Sequence, residues 1–374
     1  MKYIYRKKYL RFIAAIVDAA GDFLFRRRDL RIPEPSAVLI VRLDHMGDVL
    51  SATGIPQGLK GRYPTARVVF LTSSIGKSLL ENNPYVDEII VYDAPWFRRS
   101  GALRENNSFW KIVEELKRRH FDLGLSLRGD ARENLLLFLA RVRFRVGYGI
   151  TGLGFLLHRV LTYRQDDPET QHSLDVLNAL GIRLDVLLPA LYFSEDENLR
   201  IKRLLIESVG KTVVGVQFDA GSKAKTWPES NRASFLEDVF RRFPEAQFLF
   251  VGTDPVMASW LDKRLLGTSA VNLVGKTALR ELLIRLKSCN FFIGPDSGPS
   301  HLAAALGVPT LFIYSGTNLF EKWRSLSDNT DFLRNPVPCS PCHLTECVVE
   351  GHPCMSGIQP ERIFSWLKER LHAE

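Results

Sequence analysis

From residue 37 onward the chain alternates short, almost wholly apolar runs with segments of helical length, and it does so in two successive series. The first series holds the runs 37–42 (AVLIVR), 66–71 (ARVVFL), 88–92 (EIIVY) and 123–127 (LGLSL). Helical segments are predicted between them at 48–62, 74–82 and 108–119, the last with Ile112, Val113 and Leu116 on one face. Runs that are apolar throughout belong to parallel strands covered on both faces by helices. The second series starts at 212–217 (TVVGVQ) and continues with 247–252, 291–294 and 310–314, separated by helical segments at 230–242, 256–265, 279–288 and 300–306. Two such series predict an α/β protein of two Rossmann-like, doubly wound domains, which bind ligands beyond the carboxyl ends of their strands. Residues 147–184 read as irregular and Gly-rich, then helical around 173–180. A last helix at 360–371 is free to pack on either domain. The expected division is 1–36, 37–195 and 196–374. With 374 residues, 45% of them hydrophobic, there is enough apolar material for both cores.

Charge is unevenly placed. Net charge is +8, but residues 1–34 hold nine basic and four acidic side chains, so the remaining 340 residues carry only +3. A basic face for nucleic acid is not expected on such a body. Between Lys8 and Phe25, Tyr9, Phe12, Ile13, Ile16, Val17, Ala20, Phe23 and Leu24 recur at helical spacing. Basic flanks beside an apolar stripe fit a helix on an anionic membrane surface, or an amphipathic helix packed on its own protein. Arg11 and Asp18 confine the continuous apolar run to 12–17, shorter than a signal peptide requires.

Three loops that follow strands carry chemistry. In Arg42-Leu-Asp44-His45-Met46-Gly47-Asp48, Asp48 stands at a helix start, either as a simple cap or as a carboxylate available for general-base work. In Pro295-Asp296-Ser297-Gly298-Pro299-Ser300-His301, a small-residue turn opens a helix whose N–H groups and dipole attract phosphate. Asp296 there can accept from hydroxyls. In Asp219-Ala-Gly221-Ser222-Lys223-Ala-Lys225, a Gly/Ser turn with two lysines either holds a diphosphate or is a solvated loop; its spacing is not that of a P-loop. The run Gly147-Tyr-Gly149-Ile-Thr-Gly152 matches G-x-G-x-x-G, but Gly154 interrupts the position where a phosphate-binding helix would run. It reads instead as a mobile loop near the cleft.

Four of five cysteines cluster as Cys339-x2-Cys342-x4-Cys347-x6-Cys354. A structural zinc or iron, an unliganded loop, or disulfides are all compatible with that spacing, although a reducing compartment disfavours the last. Cys289 reads as a core residue.

Together these motifs resemble glycosyltransferase family 9, the ADP-heptose:lipopolysaccharide heptosyltransferases. The resemblance rests on VLIVRLDHMGDVL (38–50), KTWP (225–228), FFIGPDSGPSHLAAALGVPTLFIYSGT (291–317) and CSPCHLTECVVEGHPCMSGI (339–358). It implies a GT-B fold, two Rossmann-like domains facing a central cleft, with acceptor bound by the first and nucleotide sugar by the second. It also implies inverting transfer of heptose from ADP-heptose to the lipopolysaccharide inner core without a catalytic metal. The basic excess and apolar stripe of residues 1–34, outside the resemblance, add the expectation of a cytoplasmic protein held peripherally at the inner membrane. Asp48 matches the family's proposed base. Lys225 matches its donor-binding lysine, and Asp296, Ser297, Gly298 and His301 match its donor-binding block, with Gly221 and Ser222 beside them. Where the family places an acidic residue after the fifth apolar run's successor, this chain has Val256, and Asp254 is the nearest carboxylate. Arg62, Arg98, Arg99 and Arg128 are candidate contacts for an anionic acceptor. Two other functions stay open: a GT-B enzyme using a different nucleotide sugar, and a non-catalytic sugar-nucleotide-binding protein, which would have no need of both Asp48 and Lys225.

Overall fold

All six residues of strand β1 (Ala37–Arg42) are buried. Val38 and Ile40 join one apolar cluster with Val68, Phe70, Leu123 and Leu125, whereas Leu39 and Val41 join another with Val69, Leu71, Ile112 and Leu116. The strand is thus sandwiched, and each aliphatic side chain so buried contributes about 1.5–3 kcal/mol. The computed structural model describes residues 3, 7–25, 32, 34–97, 108–325 and 327–371. These divide into two compact units, Met1–Tyr192 and Phe193–Glu374.

In the first unit β1 is joined by β2 (Arg67–Thr72), β3 (Glu88–Val91), β4 (Leu123–Ser126), β5 (Phe144–Tyr148) and β6 (Arg159–Leu161). The helices are α1 (Lys8–Leu24), α2 (Met46–Leu50), α3 (Ile55–Arg62), α4 (Ser74–Leu80), α5 (Phe109–Arg119), α6 (Ala131–Leu139) and α7 (Glu169–Ala179). Strand order is β3-β2-β1-β4-β5-β6, with every pairing parallel.

The second unit contains β7 (Thr212–Gln217), β8 (Ala246–Val251), β9 (Val271–Asn272), β10 (Phe291–Pro295), β11 (Thr310–Tyr314) and β12 (Thr330–Arg334). Its helices are α8 (Glu195–Glu207), α9 (Glu229–Arg242), α10 (Pro255–Arg264), α11 (Leu279–Lys287), α12 (Gly298–Ala305), α13 (Phe320–Trp323), α14 (Pro353–Ser356) and α15 (Pro360–Leu371). Strand order is β12-β11-β10-β7-β8-β9, again all parallel. Counted along the chain, both sheets share the doubly wound order. The order reverses between β1 and β4 and between β7 and β10, where such sheets open a crevice. The last helix belongs to the second unit: Phe364 of α15 stacks on Phe235 of α9 with ring centroids 5.5 Å apart.

Several segments depart from expectation. The segment expected as one helix over 48–62 is two, α2 and α3, separated by a turn at Ser51–Gly54. Residues 147–184, expected to be irregular at first, include the end of β5 and all of β6. The G-x-G-x-x-G run packs against α1, where a Cβ on Gly152 would meet Ala14 at 3.5 Å. The ring of Phe155, just beyond it, lies so close to Gly21 that a Cβ there would come within 2.2 Å of it.

That docking turns α1 inside out. Ala14, Asp18 and Gly21, spaced one turn apart, face the body, and Tyr3 donates to Asp18 at 2.8 Å. The apolar stripe faces away: Phe12 is 67% exposed, Ile16 53% and Phe23 81%. No helix among the described residues is long and apolar enough to cross a membrane.

Candidate active site

In the first unit the crevice between β1 and β4 is lined with buried charge. Arg42, the last residue of β1, is 3% exposed. Its Nε is 2.8 Å from Asp44 Oδ1, and its Nη2 lies 3.0 Å from Asp48 Oδ1 and 3.3 Å from Glu169 Oε2. Arg128, following β4, binds the other oxygen of Asp44 and lies over the Phe97 ring at 4.6 Å. Burial opposes the charge on Arg42, but Asp44, Asp48 and Glu169 outweigh it and hold the guanidinium firmly protonated. Burial drives the Asp48 carboxyl upward, as does Asp44; Arg42 pulls it back, and the net result is pushed up to about 7. A carboxylate there is a far better proton acceptor near neutral pH than an ordinary aspartate. Glu133 on α6 is fully buried, and neither of its carboxyl oxygens has a hydrogen-bond partner among the described residues. Burial, then Asp44 and Asp130, raise its carboxyl well above the usual range.

The second unit's crevice lies between β7 and β10. Asp296, after β10, is 4% exposed, and both its oxygens are engaged. Oδ2 accepts from Lys225 Nζ at 2.6 Å and from Asn318 at 3.1 Å, while His301 Nε2 is 3.0 Å from Oδ1. Burial opposes that charge, but His301 and Lys225 hold the carboxyl far below its ordinary value. Asp296 thus organises Lys225 and His301 rather than offering a free acceptor. Ser297 precedes α12 and donates to Gln217 Oε1 at 2.6 Å instead of capping the helix. Among the described residues the Ser297 and Gly298 N–H groups have no backbone acceptor, which leaves them available to an anion.

Gln217 Nε2 continues the chain of contacts to Asp219 Oδ1 at 3.3 Å. Asp219 Oδ2 in turn accepts from the N–H groups of Thr253 and Asp254, at 2.7 and 2.9 Å. Gly252 is required at this crossing, since its φ is +153° and a Cβ would fall 2.2 Å from Asp219. Asp254 itself caps α10 through Val256 N–H at 2.9 Å. Gly221 and Ser222 form the turn before the single helical turn Lys223–Lys225. Trp227 is fully buried and donates to the Ile358 carbonyl at 2.9 Å, fixing this loop to the tail.

The cysteine-rich segment docks on the same loop. Ala224 N–H donates to the Thr345 carbonyl at 3.0 Å, and His352 Nε2 lies 3.1 Å from the Ala224 carbonyl oxygen. All four thiols are free, with Cys354 buried and Cys339 exposed. Four thiolates are a donor set suited to zinc or iron. The four thiols are near neighbours, since Cys347, Cys339 and Cys342 all act on Cys354 and, after burial, help to raise its thiol. Among the described residues Asp167, His172 and Asp175 also converge, with potential ligand atoms within 4.8 Å of one another. Cys289 is a core residue, as expected.

Among the arginines proposed for an acceptor, Arg128 reaches the charged crevice. Arg62 is exposed at the end of α3, over Tyr63 at 5.2 Å; it leads toward the start of β2, at the opposite edge of the sheet. Arg98 and Arg99 lie outside the described residues.

A family model, Glycosyltransferase family 9 (heptosyltransferase), matches residues 109–352, well over half the chain. The chain belongs to glycosyltransferase family 9. It is a heptosyltransferase-family enzyme. Lipooligosaccharide heptosyltransferase 2 of Campylobacter jejuni is 22% identical over 336 residues, covering 87% of this family 9 chain and 95% of that protein. Lipopolysaccharide heptosyltransferase 2 of Salmonella typhimurium is 23% identical over 361 residues, covering 90% and 99%. The family 9 glycosyltransferase structure from Veillonella parvula superposes with a TM-score of 0.75 at 18% identity, covering 92% of this chain and 99% of that one. The ADP-heptose lipopolysaccharide heptosyltransferase II structure from E. coli gives 0.70 at 20%, covering 89% and 98%. These likenesses establish the GT-B fold. The E. coli glycosyltransferase TibC, described as iron-containing and dodecameric, shares the fold more distantly, with a TM-score of 0.51 at 14% identity over 92% of this chain and 78% of that one.

Arg42, Glu133, Glu169, Gln217, Asp219 and Asn318 take part in the contacts of the two crevices without being among the expected site residues. Arg42 stands in the same motif as Asp48. A charged residue ending an otherwise apolar strand was the available signal. Glu169 and Asn318 carried none, because their partners are remote in sequence.

Proposed function

We propose that this enzyme transfers heptose, with inversion, from ADP-heptose to the inner core of lipopolysaccharide, with Asp48 as general base. The observation that carries the reading is the buried Asp48 carboxylate, pushed up to about 7 and oriented by Arg42. Asp48 removes the proton from an acceptor hydroxyl as that oxygen attacks the anomeric carbon of the donor. A single displacement of this kind inverts the anomeric centre. Negative charge then gathers on the departing ADP. Lys225 and the free N–H groups of Ser297 and Gly298 stabilise it, aided by the positive end of α12. In this reading the second unit binds donor and the first binds acceptor, with Arg128 facing the acceptor's anionic groups. Positive charge for the leaving group comes from the chain itself, so transfer proceeds in the presence of a chelator.

The acceptor is a lipid, and α1 supports a peripheral site of action at the cytoplasmic face of the inner membrane. Its outward stripe of Tyr9, Phe12, Ile13, Ile16, Val17, Phe23 and Leu24 is exposed, and the segment around it has a basic excess. Such a surface joins hydrophobic insertion to attraction by anionic lipid headgroups.

The experiment is release of ADP on mixing the purified protein with ADP-heptose and heptose-deficient lipid core, with and without EDTA. Transfer in both supports the reading. Turnover only with another nucleotide sugar favours the alternative donor, and donor binding without turnover favours a non-catalytic binding protein.

A further inference from the structure

We propose that Glu169 is a positioning residue of the transfer reaction: it shares the single Arg42 guanidinium with Asp48, so that the Asp48 carboxylate is oriented but only partly neutralised. The proposal rests on the reading of Asp48 as the base. Its foundation is the fork at Arg42 Nη2, 3.0 Å from Asp48 and 3.3 Å from Glu169. Two carboxylates from elements 121 residues apart compete there for one buried donor group. Asp44 does not compete for Nη2, because it occupies Nε of Arg42 and is itself bound by Arg128.

Glu169 is fixed in this role from behind. Tyr163 donates its hydroxyl to Oε1 at 3.0 Å, and the Tyr163 ring stacks on buried His172 with centroids 4.0 Å apart. The charged and titratable groups around the fork are Asp44, Arg42, Glu169 and Arg128 acting on Asp48, with buried Glu133 facing Arg42. Tyr148 also faces Glu169, and its hydroxyl stays protonated through burial. Without Glu169, Nη2 would belong to Asp48 alone. The two would form an undivided buried ion pair, and a carboxylate so neutralised is a poorer proton acceptor. A residue that merely favoured the first turn of α7 by its negative charge would affect stability and nothing else.

The test is the pH dependence of kcat/KM for transfer in Glu169→Gln, Glu169→Asp and Asp48→Asn, with thermal melts of each. Removing a negative neighbour lowers the proton affinity of Asp48. The acidic limb of Glu169→Gln is therefore expected about one pH unit below that of the unsubstituted enzyme. The plateau kcat should be several-fold lower and the donor KM unchanged. Glu169→Asp, which keeps the charge but draws it back, should shift the limb in the same direction by less; it decides the matter if the Gln variant does not fold. A lowered Tm with an unmoved limb would overturn the proposal while leaving Asp48 as base. Retained turnover in Asp48→Asn would instead remove the reading beneath it.

Discussion

Lys225 Nζ lies 2.6 Å from Oδ2 of Asp296 and 3.0 Å from the Asp296 carbonyl oxygen. The two residues come from loops that follow β7 and β10, the pair of strands where the second sheet changes direction. The lysine is thereby aimed before any ligand arrives, and the cost of ordering its long side chain is met in folding. Its remaining hydrogen-bonding capacity is free for a diphosphate.

Lys225→Met should lower kcat/KM for the donor by about 10²–10³-fold, the loss typical of removing one donor aimed at developing negative charge. It should also destabilise the protein by about 3 kcal/mol, because Asp296 keeps a buried charge with fewer partners. Adding Asp296→Asn should restore much of the stability and none of the activity. Steady-state kinetics and chemical denaturation of the single and double variants check both halves.

Asp48 is expected to be a strained possession. Its carboxyl is raised in the folded state, so the folded protein holds that proton more tightly than the unfolded chain. Stability contributed by this site is therefore present at low pH. It falls as pH rises from the ordinary aspartate range through about 7. Asp48→Asn mimics the neutral form and should be more stable than the unsubstituted protein at pH 8 by about 1 kcal/mol or more, and little different at pH 4. Denaturation at the two pH values measures the difference.

The α1 stripe yields a prediction that leaves the fold alone. Phe12 and Ile16 are more than half exposed, so Phe12→Asp with Ile16→Asp should change stability by no more than about 0.5 kcal/mol. Sedimentation with anionic vesicles at low salt should be lost in the double variant, while transfer to a detergent-solubilised acceptor persists. Equal sedimentation of both proteins would remove the membrane from the account.

The central strands were legible because burial on both faces demands unbroken apolar runs: β1, β7 and β11 match their expected limits residue for residue. Strands β5, β9 and β12 were not. β5 is interrupted by Arg145, whose Nε donates to the Leu156 carbonyl, β9 is two residues long, and β12 (TDFLR) is a half-buried edge. α8 carried an unread signal in Ser194-x-x-Glu197, which forms a complete capping box. α6 follows Asp130 as its cap but has five apolar residues in succession, which obscures helical periodicity. Asp48, Lys225, Asp296, Ser297 and His301 were legible as candidates because each lies in a short motif after a strand. The shared Arg42 and the Ser297–Gln217–Asp219 chain were not, since hydrogen bonds across 80 or 127 positions leave no local pattern.

The most direct measurement is the turnover of Asp48→Asn against the unsubstituted enzyme, with ADP-heptose and lipid core across pH 5 to 9. The unsubstituted enzyme should gain activity with pH along an acidic limb near 7, where Asp48 gives up its proton. Asp48→Asn should be slower at the plateau by about 10²-fold or more, with the donor KM little changed. Turnover within about tenfold of the unsubstituted enzyme, or a limb that survives the substitution at the same pH, would contradict the assignment of Asp48 as the base.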